Sequence, residues 1–216
     1  METPAGPTAE PTLPGGGAVS AELVASASIS GPPLKVTSSV SNETMSLRFE
    51  WTEPVAVAVF PRAGHVWAAF DREVTFDLME VGASGSQVVG QPEQIPVHGG
   101  SVLRIPVVEG INPRVWRDGS AWVLDLQPQA SRPDVPLRID AQMVSPQGPR
   151  LFVPVEGVGR PVVVRDPEVG DSLFLVPITP LSRGIDGERS YPEVSILPSV
   201  QGVVVRPRRR SRQQQP

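Results

Sequence analysis

Four tryptophans, two histidines and no cysteine are the residue types from which this chain of 216 residues could build unusual chemistry. A transition-metal site gathers histidine, cysteine and carboxylates at close spacing. Here His65 stands beside a turn and His98 precedes Gly99-Gly100, with no motif around either. A hydrogen-bonded surface imidazole accounts for both. The lack of cysteine removes a disulfide scaffold, a thiolate metal site and a cysteine nucleophile. There is no P-loop, no G-x-G-x-x-G opening a helix and no D-x-D-x-D-G calcium loop. Gly157-Val158-Gly159 is followed by Arg160-Pro161, which suits a turn. Glycoside hydrolysis needs two carboxylates whose separation only the fold decides, so Asp71, Asp125, Glu109 and Glu156 are candidates on residue type alone. Strand-end roles account for them as well. The expectation is no catalytic residue, no cofactor and no metal, and a chain that is not an enzyme.

Tryptophan carries a large apolar body and one N–H, so it fills cores or lines a groove for a peptide or carbohydrate. Valine, alanine and leucine flank Trp67 and Trp122, which predicts core positions. Trp116 stands between Val115 and Arg117 near a turn and is the tryptophan expected at the surface. Trp116, Arg117, Arg62 and His65 are therefore the candidate contacts for a ligand or partner.

One stretch and its edited copy place these side chains. In residues 46–71, SLRFEWTEPVAVAVFPRAGHVWAAFD, Leu47, Phe49 and Trp51 alternate with Arg48 and Glu50. Alternation of this kind places the apolar set on one face of a strand. Pro54 interrupts the ladder, having no N–H to donate. The run from Val55 to Phe60 suits a strand covered on both faces. A turn at Arg62-Ala63-Gly64 and a return strand over residues 66–70 complete a hairpin with one strand before it. Residues 101–126, SVLRIPVVEGINPRVWRDGSAWVLDL, repeat this: Leu103-Arg104-Ile105 follows Leu47-Arg48-Phe49, and Gly119-Ser120-Ala121-Trp122 follows Gly64-His65-Val66-Trp67. A weaker third copy starts at Arg150, with residues 162–166 and 173–176 as its hairpin strands. A period of roughly fifty residues indicates stacked or radially arranged β-units.

Composition agrees. The chain holds 26 prolines and 20 glycines, a density that long helices do not admit. The prolines border valine runs, the pattern of short strands between turns. The fold class predicted is all-β: short antiparallel hairpin units in a sandwich-like or stacked domain. Residues 1–33, rich in Pro, Gly and Ala, and the arginine-rich residues 206–216 have too little apolar surface to offset ordering and are expected to be disordered tails. Residues 34–127 form a β-domain with the two related hairpin units, and residues 128–205 a further β-unit packed on it. Net charge is −4, and subtracting the five arginines of residues 206–212 leaves −9 for the rest. An acidic body argues against nucleic acid as a specific partner. No apolar run reaches the ~20 residues that span a bilayer, and no signal-peptide pattern opens the sequence.

Leu47-Arg48-Phe49, Pro54-Val55, Phe60 and Trp67-Ala68-Ala69-Phe70-Asp71 resemble the AMIN-type β-module of bacterial envelope proteins, over about thirty residues. That resemblance implies a periplasmic module that localises cell-wall enzymes or secretin components. Residues 54–71, 111–126 and 191–207 are similar to the β-rich N-terminal region of large alphaproteobacterial tetratricopeptide-repeat proteins of unassigned function. Here no helical repeat follows, which implies a fragment of a larger protein. The function expected is a non-enzymatic β-repeat interaction or targeting module of the bacterial cell envelope, with a protein or cell-wall polymer as partner. Two alternatives stay open: a carbohydrate-active β-domain using carboxylates, and a cytoplasmic adaptor whose basic tail contacts RNA.

Overall fold

The structure, a computed structural model, describes residues 31–83, 87–146 and 148–208. Apart from residues 31–33 and 206–208, the two stretches expected to be disordered lie outside the described residues. The chain is all-β, as its proline and valine content requires.

The first hairpin joins β1 (Leu34–Ser41) to β2 (Thr44–Phe49), and a second joins β3 (Val57–Arg62) to β4 (His65–Phe70). The stretch after it holds β5 (Phe76–Asp77), the single helical turn α1 (Met79–Ala83) and β6 (Glu93–Ile95). Then come β7 (Ser101–Pro106), β8 (Ile111–Asp118) and β9 (Ala121–Pro128). Short pieces follow: β10 (Val135–Pro136), β11 (Asp140–Gln142) and β12 (Arg150–Phe152). The last group is β13 (Val162–Arg165), β14 (Ser172–Val176), β15 (Arg183–Gly184), β16 (Arg189–Ser190), β17 (Val194–Leu197) and β18 (Val203–Pro207). Residues 137–143 alternate in sequence but form a strand only at Asp140–Gln142, and the polar stretch 181–190 contains two short strands.

Three sheets stack in layers. The first has the order β5-β1-β2-β9-β8, the central one β3-β4-β7-β6, and the third β13-β14-β18-β17-β16. One core fills the gap between the first and central sheets, built on Leu47, Phe49, Val57, Val59, Phe70, Leu103, Ile105, Trp122 and Leu124. A second core joins the central sheet to the third through Ala58, Phe60, Trp67, Val102, Val162, Val164, Leu173, Leu175 and Val204. The central strands are buried on both faces, which is why β3 reads as an unbroken apolar run rather than an alternation.

The two related units interlock. β2 lies in the first sheet while its hairpin β3–β4 lies in the central one; β7 lies in the central sheet while its hairpin β8–β9 lies in the first. Each leading strand pairs with the other unit's return strand, β2 with β9 and β7 with β4. Phe49 stands opposite Trp122, and Ile105 opposite Val66, so the ladders repeat at a constant offset of 56 residues (49 to 105, 66 to 122). The hairpin ladders Arg62↔His65 and Asp118↔Ala121 obey the same offset. The sequence match of Gly64 and Trp67 with Gly119 and Trp122 runs at 55 and is one residue out of register with the ladders. A one-residue slip turns a side chain to the other face. Trp122 accordingly enters the first core and Trp67 the second. In the third stretch, β13 and β14 form a hairpin, but β12 pairs with β11 instead of joining a large sheet.

The free edge of β3 is sealed by the third layer. Val57 exchanges backbone bonds with Ile178, and Val59 donates to Gln201 and accepts from Val200. Gly202 permits this approach: it has φ +75°, and a Cβ there would lie 2.8 Å from the Ala58 Cβ. Among the described residues no helix is long and apolar enough to cross a membrane.

Candidate functional site

The outer face of the first sheet is where a buried-type side chain meets solvent. Alternation along β2 and β9 turns Leu47, Phe49, Trp122 and Leu124 inward, leaving Ser46, Arg48, Val123 and Asp125 on the other face. Pairing aligns these into rows that cross four strands. One row is Thr37, Arg48, Val123 and Trp116. The next is Ser39, Ser46, Asp125 and Arg114. Thr37, Ser38, Ser39, Ser46, Arg48 and Val123 line an open depression of about 220 Å³ in which Trp116 is the aromatic wall.

Trp116 is 38% exposed, whereas Trp51, Trp67 and Trp122 are buried. Its ring is held in place. The indole Nε1–H donates to Asp125 Oδ2 at 2.8 Å, and the Ser46 hydroxyl donates to Asp125 Oδ1 at 2.6 Å. Both carboxylate oxygens are occupied, so Asp125 anchors the indole. Arg48 bonds Glu50 at 2.7 Å and also Asp118. The bond to Glu50, then that to Asp118, holds its guanidinium above the ordinary value. Arg114 is exposed and forms no ion pair among the described residues. A fixed aromatic ring amid hydroxyls and one free cation can stack on the C–H face of a sugar or peptide group and hydrogen-bond around it, at little cost in ordering.

Trp116 and its three companions among the predicted contacts do not converge. Arg117 points away from Trp116 toward the sheet's inner face. Its guanidinium carbon lies 4.0 Å from the Trp122 ring centroid, and its Nη2 donates to the Val55 carbonyl at 3.0 Å. Burial pushes this guanidinium below its ordinary value. The Trp122 indole donates to the same carbonyl at 2.8 Å, so Arg117 and Trp122 clamp the chain ahead of β3.

Arg62 and His65 flank the β3–β4 turn and meet the third layer. Arg62 Nε lies 3.1 Å from Asp166 Oδ2, and its Nη2 bonds both oxygens of Asp171 at 2.8 Å. Asp166 is 1% exposed and also accepts from the Glu168 and Val169 amides, which shapes the β13–β14 loop. His65 Nδ1 is 2.7 Å from the Ala63 carbonyl and 3.6 Å from Glu168. Arg104 bonds Glu168 and lies 5.7 Å from the Trp67 ring centroid. This network ties the central hairpin to the third sheet. His98 is exposed in the turn before β7.

The candidate carboxylates are spread over the fold. Asp71 is buried and accepts from the Ala56 amide at 2.9 Å, closing the end of β4. Asp125 holds Trp116, Glu109 is in the β7–β8 turn and Glu156 in a bend after β12. Among the described residues no group of three or more His, Asp or Glu is placed to hold a metal ion. Sequence reasoning found Trp116 but missed Thr37, Ser39, Ser46, Arg114 and Asp125 as its neighbours. The alternation of β2 and β9 carried part of that signal; the pairing of β1, β2, β9 and β8 did not show in the chain. No family model matches this chain, and neither curated proteins nor solved structures show a significant similarity to it.

Proposed function

We propose that the chain is a non-enzymatic β-repeat interaction module of a bacterial cell-envelope protein, and that the face around Trp116 binds a cell-wall polymer of the peptidoglycan type. The observation that carries this reading is the exposed indole of Trp116, pinned by Asp125 at the wall of an open, hydroxyl-rich depression. A ring fixed before binding loses little freedom on contact, and an indole offers stacking area to a sugar ring. The hydroxyls of Thr37, Ser39 and Ser46 and the free guanidinium of Arg114 supply polar contacts beside it. The AMIN-like stretch supports the placement in the envelope.

Co-sedimentation of the purified chain with peptidoglycan sacculi tests the reading. The wild-type chain pellets with the sacculi, and Trp116→Ala lowers its affinity about tenfold, the loss of roughly one stacking contact. Asp125→Ala, which removes the acceptor and frees the ring, lowers it by a smaller factor. Equal retention of wild type and Trp116→Ala, or no retention of either, overturns the proposal.

A further inference from the structure

The two outer faces of the stack differ in kind. The first sheet turns hydroxyls and charges to solvent, while the third turns valines. Val163, Phe174, Val205 and Ile196 form one row across β13, β14, β18 and β17, and Val176 stands opposite Val203 in the next row. Ile196 and Val203 are covered by Leu137, Ile139, Leu151, Val153 and Tyr191. Val163 and Phe174 remain 51% and 42% exposed. Between this cover and the sheet runs an open groove of about 460 Å³ lined by apolar side chains alone, Val153, Val155 and Val158 on one bank and Val194 and Val205 on the other.

One bank is an unfinished strand. Beyond β12, Leu151, Val153 and Val155 turn inward while Phe152, Pro154 and Glu156 stay exposed, which is strand alternation. Yet the backbone groups of Val153, Val155 and Glu156 find no partner among the described residues. In a strand the N–H and C=O of alternate residues point to the same edge, so Pro154, which lacks an N–H, does not obstruct pairing through Val153 and Val155. An unpaired strand beside alternate-residue pockets is the arrangement that accepts an added strand. The charge around it favours an anionic visitor. Arg165 follows Val163 on this outer face and forms no ion pair among the described residues.

We propose that this groove takes an extended segment of another polypeptide, paired by its backbone to Val153 and Val155. Its alternate side chains are of valine to phenylalanine size and fill the groove, and its flanks are acidic. The surface is separate from the Trp116 face and stands or falls without it.

The test titrates the full chain into fluorescein-labelled dodecapeptides and follows anisotropy. The peptides alternate valine, isoleucine or phenylalanine with serine and carry two glutamates at each end. At least one binds. N-methylation of one of the two alternate sets of amides weakens it about tenfold, as does Val155→Glu in the protein. Arg165→Glu weakens it by a smaller factor and shifts the preference toward peptides ending in lysine. Trp116→Ala leaves peptide affinity unchanged. Should Val155→Glu fail to fold, Val158→Asp at the exposed lip of the groove carries the same expectation. Failure of every peptide to bind, or indifference to both N-methylation sets, overturns the proposal. So does a concentration-dependent dimer in sedimentation that Val158→Asp abolishes, since a second copy would then be the occupant.

Discussion

Removing Arg62 would leave the Asp166 carboxylate inside the protein without its counter-ion. The Arg62 side chain is 11% exposed and that of Asp166 1%, so solvent cannot replace the lost partner. Breaking such a pair from one side costs about 3 kcal/mol or more. Arg62→Ala should therefore lower the urea midpoint markedly, while Asp171→Asn, with its side chain 27% exposed, should move it little. Equal midpoints for wild type and Arg62→Ala would show that the staple contributes nothing. Trp116 is the opposite case. Its ring lies outside both cores, so Trp116→Ala should stay within about 0.5 kcal/mol of wild type, as surface substitutions do. Loss of binding in that variant would then report on contact and not on unfolding.

The two related hairpins close on different turns. In β3–β4 both central residues have positive φ, Ala63 at 47° and Gly64 at 70°, the signature of a type I′ turn. In β8–β9 only Gly119 does, at 61°, as in a type II′ turn. Ala63 is the misfit, because a left-handed conformation costs an L-residue with a Cβ about 1–2 kcal/mol, and less for asparagine. Ala63→Asn creates Asn-Gly and should raise stability by about 0.5–1 kcal/mol. Differential scanning calorimetry checks this, and a lowered midpoint would mean that the turn has another geometry in solution. Gly202 works the other way. Its positive φ and the nearby Ala58 leave no space for a side chain, so the seal on β3 depends on that glycine.

The layers are not independent bodies. The central sheet contributes Val57, Val59 and Phe70 to one core and Ala58, Phe60 and Trp67 to the other. A chain cut after residue 127 would expose that second set together with the free edge of β3. An apolar face beside an open edge recruits other chains. The truncated protein should aggregate or bind a hydrophobic dye, and the full chain should unfold in one transition. A monomeric truncation as stable as the full chain would refute this coupling.

Composition and periodicity alone determined the all-β class, the strand-turn-strand units and the double burial of the run ending at Phe60. They also separated Trp116 from Trp67 and Trp122, because flanking residues report the local environment of a side chain. They aligned Gly64 and Trp67 with Gly119 and Trp122, and there the ladders run one residue apart. That β2 pairs with β9 and β7 with β4 emerges from the fold alone, because strand edges carry no address and any edge can accept another. From that pairing came the row of Thr37, Arg48, Val123 and Trp116, and from the stacking of the third layer came the meeting of Arg62 with Asp166. These residues lie far apart along the chain, and their side chains become neighbours only once register, set by the whole core, chooses a face for each.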